Sequence, residues 1–267
     1  MNPFKWLEKE VRRAFTPLAS RLALRLPRGP SRGYRFYGAL SHLKLFKQKD
    51  AEDLFLERLN LASRTVYDIG AHVGLLTVFF SGAARAGRVL AFEPNPALFH
   101  LLEKNLRANR LSGVEALPIA VGDGPGELEL SISADHPAMG SLSPWVQSGR
   151  GRSDFRLIRV PVRSLDDLGE SRALPTPHFV KIDTEGFEYA VLRGMEKILA
   201  TAHPALFLEM HGTPDTPQLF SLLQKHGYRV THVETGRNIT EGGDGTLRAG
   251  HLFCEAAGAT LLRPPVA

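Results

Sequence analysis

Hydrophobic runs and amphipathic segments alternate along the chain from residue 65 onward, and this rhythm predicts an α/β fold. Short β-branched and apolar runs are typical of buried strands, whereas apolar residues at three- and four-residue steps are typical of helices. The predicted strands cover 65–68, 88–92, 114–121, 179–183, 205–211, 228–233 and 250–254. The predicted helices follow Gly74 and cover 96–109, 187–194 and 216–227. This alternation predicts a doubly wound, mostly parallel sheet.

An insertion at residues 124–165 interrupts the rhythm. Residues 128–132 and 156–162 alternate polar and apolar positions, which predicts two exposed strands that pair with each other. The polar segment 135–154 between them has two interpretations that the sequence leaves open, a substrate lid and a mobile insertion.

Two prolines lie inside predicted strands. Pro118 and Pro161 lack the N–H group that a strand ladder needs, so we expect both strands at sheet edges. For the strand at 114–121, an edge position agrees with a doubly wound order in which the third strand is outermost.

The first 50 residues are predicted to be a basic, amphipathic helical arm. Apolar residues recur at helical spacing from Phe4 to Leu22, and residues 1–49 hold 12 Lys or Arg and two Glu. Such a helix either lies on an anionic membrane surface or docks its apolar stripe on the domain, and we expect docking slightly more. The rest of the chain, with a catalytic domain at 51–260 and a tail at 261–267, is net acidic.

Composition limits the class of protein. With 267 residues, of which 43% are hydrophobic and 23% charged, the chain buries one full-sized core. The single cysteine, Cys254, excludes a disulfide framework and a thiolate zinc cluster, so we expect a cytoplasmic protein. No segment after the arm is apolar enough to span a membrane. Because the excess positive charge lies in the arm, we expect no nucleic acid partner.

A glycine turn follows the first predicted strand and is the first candidate binding site. Thr65–Ile69 leads into Gly70, Ala71, His72, Val73 and Gly74, where glycines let the backbone turn and approach a ligand, and the helix start offers N–H donors. Asp68 at the strand end can accept from an ammonium or a hydroxyl group. The spacing of the glycines lacks the dinucleotide fingerprint, which favours an adenosyl cofactor without a diphosphate over NAD.

Glu93 ends the second predicted strand, about 20 residues past the glycine turn, which is where a ribose hydroxyl is bound in nucleotide-binding βαβ units. Asn95 is expected to cap the next helix, with Pro96 at its first position. The loop that contains Ala120 and Val121 is expected to line an adenine slot.

The fourth and fifth predicted strands deliver polar groups to the same sheet edge. Asp183 and Glu185 follow one strand, and Glu209 and His211 end the next, so we expect them to meet in the ligand crevice. His211 is the expected general base, because the unperturbed pKa of histidine lies near neutral pH. A hydrogen bond between His211 and a nearby acid, with no catalytic role, is an equal alternative at this point.

Four blocks in this order resemble the FkbM family of S-adenosylmethionine-dependent methyltransferases. They are Asp68–Gly74, Phe92–Asn95, Lys181–Glu188 and Leu208–His211, and Lys-Ile-Asp-Thr-Glu-Gly is the most specific. His72 is a departure, because Asn is expected there. The resemblance implies a class I methyltransferase sheet with an antiparallel seventh strand, and methyl transfer to an oxygen of a sugar, a glycan or a secondary metabolite.

The resulting hypothesis assigns a role to each candidate. Asp68 and the turn hold the methionine part of S-adenosylmethionine, Glu93 holds its ribose, and Asp183 with Glu185 anchors its ammonium group and the acceptor. His211 removes the hydroxyl proton without a metal; a Mg²⁺ ion held by Asp183, Glu185 and His211 is the lesser alternative. A different class of answer is a scaffold protein that kept the fold and lost turnover.

Overall fold

A computed structural model describes residues 22–38, 50–133, 140–141, 155–239, 249–256 and 261–263. Its described strands are β1 (Leu24–Arg25), β2 (Arg35–Phe36), β3 (Thr65–Ile69), β4 (Arg88–Phe92), β5 (Val114–Leu117), β6 (Ala120–Val121), β7 (Gly126–Ser133), β8 (Gly140–Ser141), β9 (Phe155–Arg163), β10 (Phe179–Ile182), β11 (Ala205–Met210), β12 (Tyr228–His232), β13 (Arg237–Ile239) and β14 (Gly250–Ala256). Its described helices are α1 (Ala51–Glu57), α2 (Leu75–Ala84), α3 (Pro96–Ala108), α4 (Leu165–Arg172), α5 (Glu188–Arg193), α6 (Glu196–Thr201) and α7 (Thr216–Lys225).

The central sheet confirms the doubly wound α/β fold. Its strands follow the order β13-β12-β14-β11-β10-β3-β4-β5, in which β11, β10, β3, β4 and β5 run parallel. β14 lies antiparallel between β11 and β12, as the class I resemblance implies. β13 is an addition to the expected seven strands, and it pairs antiparallel with the outer side of β12. The strand order reverses between β3 and β10: β4 and β5 are added on one side of β3, and β10 and β11 on the other. A doubly wound sheet opens its ligand crevice at this point.

Both faces of this sheet are buried, and the period of two along each strand assigns residues to one face or the other. Tyr67 and Ile69 of β3 pack with α5 and α7 in one apolar cluster, whereas Val66 packs with Phe55 of α1 and Phe80 of α2 in the other. Phe179, Phe207 and Phe253 belong to the second cluster. Their strands continue on that face into polar residues, and these form the site described below.

The insertion forms a second sheet with the order β6-β9-β7-β8. The predicted pairing of its two long strands is confirmed, because β7 and β9 are antiparallel over eight residue pairs. The predicted single strand at 114–121 is wrong: β5 ends at Leu117 at the edge of the central sheet, and β6 belongs to the second sheet, with Pro118 between them. β9 is an inner strand, but β6 covers only Val162 and Arg163, so Pro161 needs a partner on one side only. Most of the predicted lid at 135–154 lies outside the described residues.

The predicted helical arm is corrected where the structure describes it. Within residues 22–38 the chain forms an antiparallel hairpin of β1 and β2 instead of a helix. Asn105 of α3 fixes this hairpin, because its amide accepts from Tyr37 N at 2.7 Å and donates to Tyr37 O at 3.2 Å. Residues 1–21 and 39–49 lie outside the described residues. Within the part of the chain that is described, no helix is long and apolar enough to cross a bilayer.

Candidate active site

The glycine turn after β3 is shaped by close packing against β10. Gly70 has φ +76°, and a Cβ atom at this position would lie 1.8 Å from the backbone oxygen of Asp183. Gly74 has φ +87°, and its Cβ would lie 2.6 Å from Leu102 Cδ1. The sequence suggests that these glycines admit a ligand. The structure shows that they admit the neighbouring strand end and α3, whereas the approach of a ligand to this turn stays a prediction.

Hydrogen bonds from the turn tie it to the end of β4. The N–H groups of Gly70 and Ala71 both donate to Phe92 O at 3.0 Å, and His72 N donates to Glu93 Oε2 at 2.8 Å. The other carboxylate oxygen, Glu93 Oε1, accepts from Asn95 N at 2.8 Å. Glu93 therefore joins the two loops that border the crevice, and Asn95 also caps α3 as predicted, since its side chain accepts from Ala97 N.

Burial governs the electrostatics of Glu93. Although the backbone donors at Asn95 and His72 oppose the effect, removal from water raises the pKa of Glu93 to about 7. Each of its oxygens accepts one backbone N–H and has a lone pair left for a ligand hydroxyl, so the residue fits the predicted ribose role. The first turn of α2 fits a cofactor as well, because its N-cap is Gly74 and offers no side-chain hydrogen bond.

Asp68 is the buried centre beneath the turn. It is fully buried, and Oδ2 accepts from Thr77 Oγ1 at 2.5 Å, whereas Oδ1 has no hydrogen-bond partner among the described residues and lies 3.5 Å from Lys181 Nζ. Lys181 also donates to Gly70 O at 3.0 Å and lies 3.4 Å from Asp183 Oδ2. The side chain of Asp68 thus supports the turn from below, and its predicted contact with the methionine part of a cofactor is indirect in this arrangement.

Lys181 holds the two strand ends together. Burial opposes its charged form, but the carboxylates of Asp183 and Asp68 outweigh this effect and hold its pKa above the usual range. For Asp183 burial outweighs the charge of Lys181, so its pKa is raised to about 6 and its charged form is disfavoured. The lysine is buried and the aspartate is partly exposed, so the pair lies at the boundary between the core and the crevice.

His211 is surrounded by carboxylates, as predicted. Its Nδ1 lies 3.1 Å from Glu188 Oε1, and since a carboxylate only accepts, Nδ1 carries the proton. Its Nε2 lies 3.9 Å from an oxygen of each of three other carboxylates, those of Asp183, Glu185 and Glu209. The side chain is 19% exposed. The imidazole is thus fixed at one nitrogen and presents the other to the crevice.

This environment changes the proton affinity of both partners. Burial disfavours imidazolium, but the hydrogen bond and charge of Glu188, with the charges of Asp183 and Glu185, outweigh burial and raise the pKa of His211 to about 9. Burial likewise opposes the charged form of Glu188, yet His211 and the N–H of Gly186 hold its pKa below the usual range. At neutral pH the ligand-free site therefore holds an imidazolium among carboxylates.

The same groups are compact enough for a divalent cation. One ligand atom each from Asp183, Glu209 and His211 lies within 4.8 Å of the others. The sequence suggests Glu185 as the third ligand of a Mg²⁺ ion, whereas the structure favours Glu209.

Ala120 and Val121 are not exposed in a loop, as the sequence suggests, but form β6. Each side chain is 2% exposed, and the two lie in different apolar clusters. Their side chains are therefore part of the core, and the predicted role of this stretch in an adenine slot is limited to its backbone.

Sequence reasoning assigned no role to three residues that shape the site, Lys181, Glu188 and His251. The first two lie inside the block at 181–188 that carries the family resemblance. A lysine within a buried strand and a second acid shortly after Gly186 were available signals there. His251 carries no motif. It reaches the site only because β14 pairs with β11 and places it opposite Glu209.

A family model described as the methyltransferase FkbM domain matches residues 68–230, more than half of the chain. The chain belongs to the FkbM methyltransferase family. Its domain is accordingly an S-adenosylmethionine-dependent methyltransferase domain. The antiparallel β14 of the central sheet agrees with the sheet that the resemblance implies. The matched residues include both the glycine turn and the carboxylate cluster around His211.

Several relatives are similar over most of this domain. Hexuronic acid methyltransferase AglP of Haloferax volcanii is 28% identical over 179 residues, which are 67% of this chain and 68% of that protein. The 31-O-demethyl-FK506 methyltransferase FkbM of Streptomyces tacrolimicus is 25% identical over 189 residues, 62% of this chain and 72% of that protein.

Two other methyltransferases match this chain over a smaller share of their own length. The crystal structure of methyltransferase FkbM from Methylobacillus flagellatus is 17% identical, with a TM-score of 0.47, and covers 83% of this chain and 48% of that one. Methyltransferase 1 of Beauveria bassiana is 28% identical over 144 residues, which are 49% of this chain and 58% of that protein. The chain thus spans only about half the length of these two.

Proposed function

We propose that this protein transfers a methyl group from S-adenosylmethionine to a hydroxyl oxygen of a sugar, a glycan or a secondary metabolite. The observation that carries the proposal is His211, whose Nδ1 is fixed by Glu188 at 3.1 Å and whose Nε2 faces the crevice at the switch point of a methyltransferase sheet. An imidazole oriented in this way is the group that a hydroxyl nucleophile needs for deprotonation.

The cofactor side of the crevice uses the glycine turn and Glu93. In this proposal Glu93 binds the ribose hydroxyls, and the turn with the first N–H groups of α2 borders the methionine part. Asp68 keeps the turn in place through Lys181 and Thr77. When bound, S-adenosylmethionine supplies a methyl group that its sulfonium already activates.

The acceptor side performs the proton transfer. The hydroxyl oxygen attacks the methyl carbon while the carbon–sulfur bond breaks, the electron pair stays on sulfur, and the proton passes to His211 Nε2. Asp183 and Glu185 bind the cofactor ammonium and the acceptor. Because these two carboxylates help to hold the proton on His211, their neutralisation by a cationic cofactor lowers the pKa of His211 and raises the fraction of neutral imidazole that can act as a base.

In this scheme His211 accepts the proton without a metal ion. Mg²⁺ at Asp183, Glu209 and His211 would lower the pKa of the acceptor hydroxyl instead. Methyl transfer that persists in EDTA supports His211 as a metal-free base, whereas loss in EDTA with recovery in Mg²⁺ would replace it by the metal mechanism.

The acceptor class rests on the relatives. One is named for methylation of a hexuronic acid and another for methylation at 31-O of FK506. Both names describe acceptors rich in oxygen functions. A screen of hexoses, hexuronates and hydroxylated macrolactones with radiolabelled S-adenosylmethionine is expected to find a labelled product among these classes.

The first experiment is calorimetric titration with S-adenosylmethionine, S-adenosylhomocysteine and NAD. We expect micromolar binding of both adenosyl compounds, a free energy of about −8 kcal/mol, and none of NAD. Glu93→Ala is expected to weaken adenosyl binding about tenfold or more, because it removes the ribose acceptor and the link between the two loops. Glu115→Ala, which removes a half-exposed acid from the next strand, is the matched control.

Other outcomes have defined meanings. Absence of adenosyl binding to the folded protein would overturn the enzyme proposal and favour the scaffold alternative. Equal weakening by Glu93→Ala and Glu115→Ala would remove Glu93 from the cofactor site and leave the enzyme proposal intact.

We also propose a cytoplasmic location and, as the second of two roles for the arm after docking on the domain, peripheral membrane contact through residues 1–49. The support is their excess of 12 basic over two acidic residues. Because the hairpin at 22–38 packs on α3, deletion of the arm would disturb the domain, so replacement of Lys5, Lys9, Arg12 and Arg13 by Glu is preferable. Flotation with anionic vesicles is expected for the parent and reduced for this variant; equal flotation, or none for the parent, would refute the contact.

A further inference from the structure

A second histidine lies on the sheet face that carries His211. His251 of β14 is the cross-strand partner of Glu209 in β11, so both side chains project from the same face. Its ring stacks on Phe207 with a centroid distance of 5.2 Å and an interplanar angle of 11°. Its side chain is 16% exposed. Packing and strand register together fix the position of this imidazole.

Glu234, in the turn between β12 and β13, orients the ring. Its Oε1 lies 2.7 Å from His251 Nδ1, and its two oxygens each accept from the backbone N–H of His251 at 3.1 Å. Since Nδ1 is bound by a carboxylate, Nε2 is the ring nitrogen that faces β11 and α1. There it lies 3.8 Å from Glu209 Oε2 and 4.0 Å from Glu52 Oε1 of α1.

The arrangement around His251 repeats the arrangement around His211. In each case a carboxylate holds Nδ1, Glu188 for His211 and Glu234 for His251, and Nε2 faces Glu209. The two oxygens of Glu209 lie 3.9 Å and 3.8 Å from the two Nε2 atoms. These distances correspond to ion pairs, since they exceed hydrogen-bond length. Glu209 is therefore shared between the candidate base and a histidine outside the proposed reaction.

We propose that His251 is a positioning residue of this active site: stacked on Phe207 and bound by Glu234, it holds the carboxylate of Glu209 between the two imidazoles and fixes where Glu209 meets His211. The proposal rests on the proposed function of His211 as a base. It assigns a role to His251, Glu234 and Glu209 that is separate from binding of the cofactor.

The charges that face the two imidazoles agree with this role. Asp183, Glu185, Glu188 and Glu209 face His211 among the described residues, with Lys181 behind them. His251 is faced by Glu234, Glu52 and Glu209. Of these acids only Glu209 faces both rings, so a change at His251 is transmitted to His211 through that side chain.

The pKa values follow the same pattern. The interaction with His251 is the largest of the influences that lower the pKa of Glu209 to about 2. Burial disfavours the charged form of His251, but Glu209, Glu234 and Glu52 raise its pKa to about 9. At neutral pH Glu209 is therefore a carboxylate that an imidazolium holds from the side opposite His211.

The test is NMR titration of the histidine side chains in the full-length, ligand-free protein labelled with ¹⁵N-histidine, with His211→Gln used to assign the signal. In His251→Gln, Glu209 loses one partner, so the pKa of His211 is expected to rise by about 0.5 or more. Glu209→Gln is expected to lower it. In the double variant the change at His251 should add nothing to the effect of Glu209→Gln.

His226→Gln is the matched control, because His226 also faces a glutamate, Glu196, at 3.5 Å, but belongs to the end of α7. It is expected to leave His211 unchanged. Glu234→Gln provides a second route: it releases Nδ1 of His251 and should act in the direction of His251→Gln, so the proposal stays testable if one variant fails to fold.

Two results would overturn the proposal. One is an unchanged pKa of His211 in both His251→Gln and Glu234→Gln. The other is a shift by His251→Gln that persists in the Glu209→Gln background, which would mean that His251 acts through its own charge and does not position Glu209. Neither result depends on S-adenosylmethionine, so failure of the proposed function would be seen separately, by calorimetry.

Discussion

The crevice has two sides that are built by different means. At the ends of β3 and β4, the acids Asp68 and Glu93 are 0% and 5% exposed, and their oxygens contact the chain's own backbone, a threonine and a lysine. At the ends of β10 and β11, the side chains of Asp183, Glu185 and Glu209 are 29%, 35% and 41% exposed and face His211 across 3.9 Å.

The two sides therefore contribute different properties to the site, a fixed backbone shape on one side and titratable charge on the other. The first side is fixed by backbone hydrogen bonds and close packing, so its contribution is a preformed turn. The second side consists of titratable groups whose protonation depends on one another and on any cation that enters. We therefore expect substitutions on the first side to alter folding and substitutions on the second to alter proton affinity.

The largest effect is expected for Gly70→Ala. The new Cβ would lie 1.8 Å from the Asp183 backbone oxygen at φ +76°, and backbone on both sides leaves no flexible atom to move. We expect a loss of about 5 kcal/mol or more in the free energy of unfolding, measured by urea denaturation. Gly227→Ala, at φ +73° where no atom of the described residues would lie within 4 Å of the new Cβ, is the control and should cost about 1–2 kcal/mol. Equal costs would show that the close contact with β10 is unimportant.

Lys181→Met is expected to cost about 3–5 kcal/mol, because it leaves the fully buried Asp68 carboxylate without its cation. The second substitution Asp68→Asn should restore part of this loss, since it removes the unpaired charge. Chemical denaturation of both variants measures the effect. A double variant less stable than Lys181→Met alone would argue against charge compensation as the role of the lysine.

On the second side, stability is expected to depend on alkaline pH. The folded pKa values of His211 and His251 are raised from 6.5 to about 9, so the stabilisation that they provide is complete below about pH 6.5 and is lost as pH rises through 9. Each histidine contributes up to about 3 kcal/mol over this range. Thermal unfolding at several pH values should show a falling melting temperature from pH 6.5 to 9, and the fall should be smaller in His211→Gln/His251→Gln.

The smallest effect links the two sides. If the cofactor ammonium binds at Asp183 and Glu185, saturation with S-adenosylmethionine should lower the pKa of His211 by up to about one. NMR titration with and without cofactor measures the change. S-adenosylhomocysteine, which keeps the ammonium but lacks the sulfonium charge, should produce a smaller shift. A rise in the pKa on cofactor binding would contradict the placement of the ammonium.

The sequence alone was sufficient for features that depend on neighbouring residues. Asn95 and Pro96 mark the start of α3 through local capping chemistry, and the apolar runs locate β3, β4, β10 and β11 because a strand buried on both faces has few polar positions. Since parallel strands share one carboxyl edge, the sequence also predicted that Asp183, Glu209 and His211 would meet, and the structure confirms this.

Contacts between distant residues needed the tertiary structure. Pro118 suggested one edge strand, but only the fold shows that the chain leaves the central sheet there and enters a second one. Gly70 resembles a ligand-binding glycine in sequence, and only the position of Asp183 shows what fills the space beside it. A lysine inside a buried strand marks Lys181 in the sequence, but its contact with the oxygen of Gly70, 111 residues away, does not follow from that signal. His251 has no local signal, and only the register of β11 with β14 places it opposite Glu209. Hydrophobic periodicity and capping record each residue's relation to its near neighbours, whereas the proton affinity of His211 depends on how many charges the folded chain gathers around one imidazole.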